Sequence, residues 1–328
     1  MHTLFQRRTL LRAGATGLTL AALGARAQSG WPTKPVNLVV PFPAGGGTDA
    51  FARPLSAQFA KQTGKTLVVD NRGGAGGTLG ATIASRAPAD GYTLFMGAIH
   101  HAIAPSVYPK LEYDLQRDFV PLALLAEVPQ VLVVNPKRVT APDFKTLLAE
   151  LKRSPGKLNY ASAGGGTSHH LAGELFKQQT GTFITHIPYR GAGPALQDLI
   201  SGNVDMMFDG LGSSAAHIKG GRIKALMVAG SQRNPSLPDV PCAAEVGLPD
   251  YKVVTWYGLW APKGTPADVQ ARIVEEVKRA GAAEEIRAVW ASNGAHYGTL
   301  SPAQFGDYVR AEITRWAAVV KAADIKLD

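Results

Sequence analysis

The sequence is poor in cysteine, in charge and in long apolar runs. Cys242 is its single cysteine. That excludes a disulfide within the chain and any Cys-built zinc or iron–sulfur site. Charged residues make up only 18% of 328, against about 25% in an average chain. Apolar residues, at 45%, are ordinary, so the low charge does not signal disorder. The uncharged run Ala13–Ala25 falls short of the roughly 20 apolar residues that a membrane span needs. Signature motifs are missing too. There is no Gly-x-x-x-x-Gly-Lys-Ser/Thr phosphate loop, no Gly-x-Ser-x-Gly nucleophile elbow and no His-Glu-x-x-His. Gly74-x-Gly76-x-x-x-Gly80 hints at a dinucleotide turn, but the strand after it lacks the acid that would hold a ribose.

The first residues read as an address. Residues 1–27 hold Arg7, Arg8, Arg12 and Arg26 and no acid, and they end in Ala25-Arg26-Ala27. A basic start, a short apolar run and a small-x-small end describe a cleavable signal peptide. The mature chain is expected to begin near Gln28. Arg7-Arg8 suits twin-arginine export as well as the general route, and with Cys242 so distant no lipid anchor is expected. Losing the four arginines lowers the formal net charge from +9 to +5. That is no nucleic-acid footprint, but it would still favour a small anion.

What the chain does have is glycine and proline, 36 and 22 residues, above the usual shares of about 7% and 5%. They punctuate an alternation of strands and helices. Strands are expected at Val36–Val40, Thr66–Asp70, Tyr92–Gly97, Val131–Val134, Leu158–Ala161, Ile184–Ile187 and Val204–Phe208. Helices are expected from about Asp49 to Gln62, with Phe51, Leu55 and Phe59 on one face, then at Asp143–Arg153 and Ser168–Thr180. The C-terminal part reads as helical. Thr265-Pro266 would start one helix, and Ser301-Pro302-Ala303-Gln304 is a capping box for the last. His100 and His101 fall in a loop, and Trp256, Tyr257 and Trp260 read as core or joint residues. The pattern means α/β with mostly parallel sheets.

One motif occurs twice. Ala44-Gly45-Gly46-Gly47-Thr48 opens a helix that stops at Thr63-Gly64, and Arg72-Gly73 follows the next strand. Ala163-Gly164-Gly165-Gly166-Thr167 opens another that stops at Thr180-Gly181, with Arg190-Gly191 beyond. Two similar α/β domains would each carry a Gly-rich loop at a strand's carboxyl end, where ligands of such sheets bind. Bare backbone N–H groups and a helix's positive end suit a carboxylate there, with Thr48, Ser162 and Thr167 adding hydroxyls. The same glycines could merely permit tight turns. His170 and Glu174 are four apart, yet no further ligand pattern supports a metal, and neither metal nor cofactor is expected.

These pieces resemble the solute-binding proteins of tripartite tricarboxylate transporters, the Bug family of bacterial periplasmic receptors. The likeness rests on Trp31-Pro32 with Pro35 and on Val39 to Gly46 leading to Thr48-Asp49. It continues in Asn71-Arg72 with Gly76-Gly77, Ala89 to Leu94, and Tyr113-Asp114 with Asp118-Phe119. It ends in Ser162 to Thr167 with His170-Leu171, Pro188 to Gly191, and Trp256-Tyr257-Gly258. The resemblance implies a two-domain Venus-flytrap receptor in the periplasm, crossed twice by the chain. Domain 1 would be residues 30–131 plus 255–328, and domain 2 residues 132–254. It implies a small organic carboxylate as ligand: a di- or tricarboxylate, an acidic amino acid or an aromatic acid. Phe42, Ala44, Gly45, Gly46, Thr48 and Asp49 would hold it from one side. Ser162, Gly164, Gly165, Gly166, Thr167 and His170 would hold it from the other. Gly77, Tyr189 and Asp209, in loops after expected strands, complete the set with His100 and His101. The histidine pair stands where relatives commonly have small polar residues, and Gly47 where they usually have another residue. The expected partner is a permease pair or a sensor, the expected state a monomer, and the expected mode binding rather than catalysis. The rival reading is an exported hydrolase or dinucleotide enzyme using the same cleft.

Overall fold

Unalternating apolar runs become inner strands. In the computed structural model, which describes residues 30–322, β1 (Val36–Val40) is buried and lies parallel to both β2 (Leu67–Asn71) and β3 (Thr93–Ala98). The signal peptide expected over residues 1–27 lies outside the described residues. Helix α1 (Gly47–Thr63) joins β1 to β2 and buries Phe51, Leu55 and Phe59, a gain of about 2 kcal/mol each. It stops at Gly64, whose φ of 68° is the left-handed cap glycine adopts freely. A single turn at Ala75–Gly77 leads into α2 (Thr78–Ser85), and α3 (His100–Val107) follows β3.

The next strand organises the molecule. β4 (Phe119–Val134) is 16 residues long. Beyond it come α4 (Phe144–Arg153), β5 (Asn159–Ser162), α5 (Ser168–Thr180), β6 (Thr185–Pro188), α6 (Ala192–Ser201), β7 (Met206–Gly210), α7 (Leu211–Lys219) and β8 (Lys224–Val228). The chain then returns through β9 (Val254–Pro262), α8 (Ala267–Ala282), α9 (Glu284–Ser292), β10 (His296–Tyr297) and α10 (Pro302–Ala322). The strand order is β2-β1-β3-β9-β4-β7-β5-β6, with β10 and β8 also paired to β4. The first part of β4, Phe119 to Pro129, runs antiparallel to β9. Its last residues, Gln130 to Val134, run antiparallel to β7. Two lobes therefore share one strand. The expected parallel pairing holds for β2-β1-β3 and for β6-β5-β7, while β4 and β9, which carry the chain between lobes, pair antiparallel.

Three local expectations change. His100 and His101 begin a helix, α3, rather than a loop; Pro105 within it and weak helix formers at its start hide it. β4 is far longer than Val131–Val134. Pro121 and Pro129 argue against a strand, but register shifts near Pro121 and Leu124 accommodate an irregular ladder. Thr265 does not cap α8: its hydroxyl donates back to the Pro262 carbonyl, and Pro266 holds the cap position. The Ser301 capping box forms as expected, with Ser301 N–H donating to Gln304 Oε1 at 3.0 Å. Trp256 and Trp260 are buried against Phe305 from α10.

Candidate functional site

Two helix starts face each other across the lobes. β1 ends in a loop whose glycines carry no side chain, so the backbone from Ala44 to Gly46 packs against the first turn of α6. A Cβ on Gly46 would stand 3.6 Å from Gly193 N, and one on Gly193 would strike the Ala44 carbonyl. Neither Gly46 nor Gly191, the caps of α1 and α6, offers a side-chain hydrogen bond. The first-turn N–H groups of both helices are thus left for something else to satisfy.

The cavity between them is lined by Phe42, Gly46, Gly47, Thr48, His100, Ala163, His169, Ala192 and Tyr257. It is small, about 10 Å³, with room for roughly one water. No Lys or Arg is among these nine residues. Gly47 is required by Tyr257: a Cβ there would collide with the phenol hydroxyl.

The lobes meet through polar contacts around this cavity. His100 Nδ1, from α3, accepts the Ser168 N–H at 3.0 Å and so caps α5 from the opposite lobe. A ring accepting at Nδ1 carries its proton on Nε2 when neutral. Neutral is its state: burial, then the neighbouring His169 and His101, hold its pKa well below the usual 6.5. Tyr108 donates to the Gly165 carbonyl at 3.0 Å on the far side of the loop. Behind the cavity, His169 Nε2 stands 3.4 Å from Asp209 Oδ1. Asp209 Oδ2 accepts hydroxyls from Ser213, at 2.7 Å, and from Ser214. Burial lowers His169 to about 4 and raises Asp209 to about 6. At neutral pH the pocket thus holds neutral imidazoles and one ionised carboxylate set behind them.

The residues singled out in the sequence scatter in role. Phe42, Gly46, Thr48 and His100 line the cavity. Ala44 and Gly45 form the loop beside it. Asp49 is inward and occupied: it accepts from Gly45 N, Arg53 Nε and Asn71 Nδ2, which fixes the loop's shape. In the second loop, the Ser162 and Thr167 hydroxyls both donate to the Gly164 carbonyl, and Gly165 takes the Tyr108 bond. Gly166 N–H donates to His170 Nδ1. His170 itself stacks on His186 with ring centres 4.1 Å apart, away from the cavity. His101 ties the turn after β3 to Gly77, through the Ala98 backbone at 3.0 Å and the Gly77 carbonyl at 3.3 Å. Tyr189 donates to Asp198, and Asp209 lies one residue deeper than the lining. His169, Gly47, Ala163, Ala192 and Tyr257 line the cavity without having been singled out as ligand contacts. A glycine in the loop and a histidine adjacent to one already chosen carried that signal; nothing in sequence linked Tyr257 to it. No group of three or more His, Cys, Asp or Glu side chains among the described residues is placed to share a metal.

A cleft between two α/β lobes joined by crossing strands, with opposed helix starts and backbone donors, defines a binding protein of the two-lobed receptor class. Comparison with known proteins agrees. Residues 51–325 match the tripartite tricarboxylate transporter family receptor, TctC. The chain is 35% identical to Protein BugT of Bordetella pertussis over 90% of this chain and 91% of that one. It resembles the solved periplasmic binding protein BugD with a TM-score of 0.86 at 35% identity, covering 90% of this chain and all of the other. It also resembles MatC from Rhodopseudomonas palustris, solved with bound malate, with a TM-score of 0.83 at 37% identity, over 88% and 100% of the two chains. The chain belongs to the tripartite tricarboxylate transporter receptor family and has the two-domain periplasmic binding-protein fold.

Proposed function

We propose that this protein captures a small organic carboxylate in the cavity between its lobes and works as a periplasmic uptake or sensing receptor. The observation that carries this reading is the pair of uncapped helix starts, α1 and α6, opposed across one cavity. Each start presents N–H donors and about half a positive charge, which suits a carboxylate where no Lys or Arg lines the wall. The malate held by its relative MatC supports the same chemistry. Gly46, Gly47, Thr48 and Ala192 are the contacts proposed for the anion, with Phe42 and Tyr257 shaping the space. A ligand of malate's size needs the lobes further apart than here, so entry and release go with their motion. A division into residues 30–131 plus 255–328 and residues 132–254 is proposed, supported by the switch of β4 from pairing with β9 to pairing with β7 at Gln130. His100 is proposed as a ligand-choice residue because its Nε2–H belongs to a ring that lines the cavity; His101 is assigned to the scaffold.

The test is thermal unfolding of protein refolded to strip carried ligand, scanned against di- and tricarboxylates, acidic amino acids and aromatic acids. A ligand at 100 times its Kd adds about 2.7 kcal/mol, a shift of several degrees at most. Native refolded protein that shifts with no acid would sink the reading.

A further inference from the structure

Behind the cavity, two acceptors have no donor. Asp209 is fully buried, and its Oδ1 has no hydrogen-bond partner among the described residues. His169 lines the cavity, is 4% exposed, and its Nδ1 likewise has no partner. The two side chains are in contact, Nε2 to Oδ1 at 3.4 Å, without hydrogen-bond geometry. The ionised carboxylate favours the tautomer with its proton on Nε2, which leaves Nδ1 a lone pair. The serine hydroxyls already serve the other oxygen, Oδ2. A buried acceptor without a donor is costly, and for His169 Nδ1, on a ring that lines the cavity, the missing donor is one a ligand can bring.

We infer that His169 and Asp209 form the discriminating end of the pocket and select carboxylates that carry a hydroxyl or ammonium group beside the anchored carboxylate. The inference rests on the carboxylate reading above and deepens it. The helix starts of α1 and α6 receive the carboxylate. The His169 face, with a buried negative charge behind it, receives a donor. An unsubstituted acid offers only C–H at that point and leaves His169 Nδ1 unmatched. A site built to meet a donor discriminates strongly against the analogue that lacks it. Ammonium gains further from the charge on Asp209, so amino acids rank at or above hydroxy acids.

The experiment is calorimetric titration of the refolded protein with two matched sets: propionate, lactate and alanine; succinate, malate and aspartate. Within at least one set, the hydroxy or amino member is expected to bind at least tenfold more tightly than the plain acid. In Asp209→Asn, which keeps the shape without the charge, the amino acid loses its advantage while the plain acid changes less than threefold. Asp209 is buried, so His169→Phe serves as a second variant: it keeps a ring and removes the nitrogens, and it should close the gap for both substituted acids. Equal affinities within both sets of wild type overturn the inference while leaving the carboxylate reading intact. A gap that survives both variants also overturns it. Binding of none of the six by natively folded protein overturns the inference, and the absence of a shift with every acid of the wider panel removes the carboxylate reading as well.

Discussion

The two Gly-rich loops share a sequence pattern and differ in how they are held. The first, before α1, is fixed from within by a carboxylate: Asp49 gathers Gly45 N–H, Asn71 and Arg53. Its helix start stays open toward the cavity. The second, before α5, is fixed from within by hydroxyls: Ser162 and Thr167 both turn to the Gly164 carbonyl. Its helix start is closed by His100 from the other lobe. A repeated motif therefore supplies two similar frames, and the residues around each decide which frame keeps free donors. In the proposed site the partner of the open α1 in anchoring an anion is accordingly α6, and α5 would contribute a side chain, His169, rather than its first N–H.

Acid should break the comparison most strongly, because imidazoles surround the second loop: His169 and His170 on α5, His186 against Ser162, and His100 reaching Ser168 from the first lobe, all held below the usual 6.5 mainly by burial. His100 and His169 are held below the usual 6.5 by burial, His169 at about 4, and His101 nearby is also near 4. Their contribution to stability is complete above about pH 6.5 and is lost as pH falls toward 4. Each proton excluded from the folded state costs about 1.4 kcal/mol per pH unit in that window. Asp209 acts the other way: raised to about 6, it adds stability as pH falls from there toward 3.8. Urea unfolding at stepped pH should show a net fall below 6.5, and Asp209→Asn should steepen it. Flat stability from pH 7 to 4.5 would count against the buried, neutral histidines.

Asp49→Ala attacks the first loop alone. It strands the Gly45 N–H and leaves the Asn71 amide only its bond to the Phe42 carbonyl, and a loss of about 2–3 kcal/mol is expected by denaturant unfolding. A loss below about 0.5 kcal/mol would show that the loop holds its shape without the carboxylate. Gly47→Ala should leave the fold in place yet lower ligand affinity tenfold or more, since the new methyl meets the Tyr257 hydroxyl. Adding Tyr257→Phe should restore part of it in the same titration. The smallest effect is expected for the bridge between lobes. His100→Ala removes the α5 cap and should cost about 1 kcal/mol, read as a fivefold weaker affinity with the closed form less populated in solution scattering. His100→Asn retains an acceptor and should fall between Ala and wild type; an Asn variant as weak as Ala would assign His100 another role.

Much of this architecture is readable in the residues, for physical reasons. Phe51, Leu55 and Phe59 recur at helical spacing, and their burial followed. Ser168–Thr180 ends at a glycine, and the helix has those bounds. The glycine loops announce themselves because close backbone approach requires glycine, as at Gly46 and Gly193. Other features depend on distant chain segments and leave no local trace. His169 and His170 are adjacent on a helix, about 100° apart, and only the packing of α5 decides which ring meets the cavity. Tyr257 reaches the site from β9, far along the chain, and looks like any buried aromatic. Asp49 sits in the first turn of α1, beside a loop that resembles an anion site, and its own partners show that it serves the loop.

β4 has a consequence for the order in which the chain can assemble. The second lobe lies between the crossing strands, built from one continuous stretch that β4 opens and β9 closes. The first lobe begins the sequence but lacks β9 and α8 to α10 until the chain's end is supplied; Phe119 must wait for Pro262. Its contacts are therefore the longer in sequence and the slower to form. The half that is made first is the half that finishes last, and pulsed hydrogen exchange during refolding should find β5–β7 protected before β1–β3.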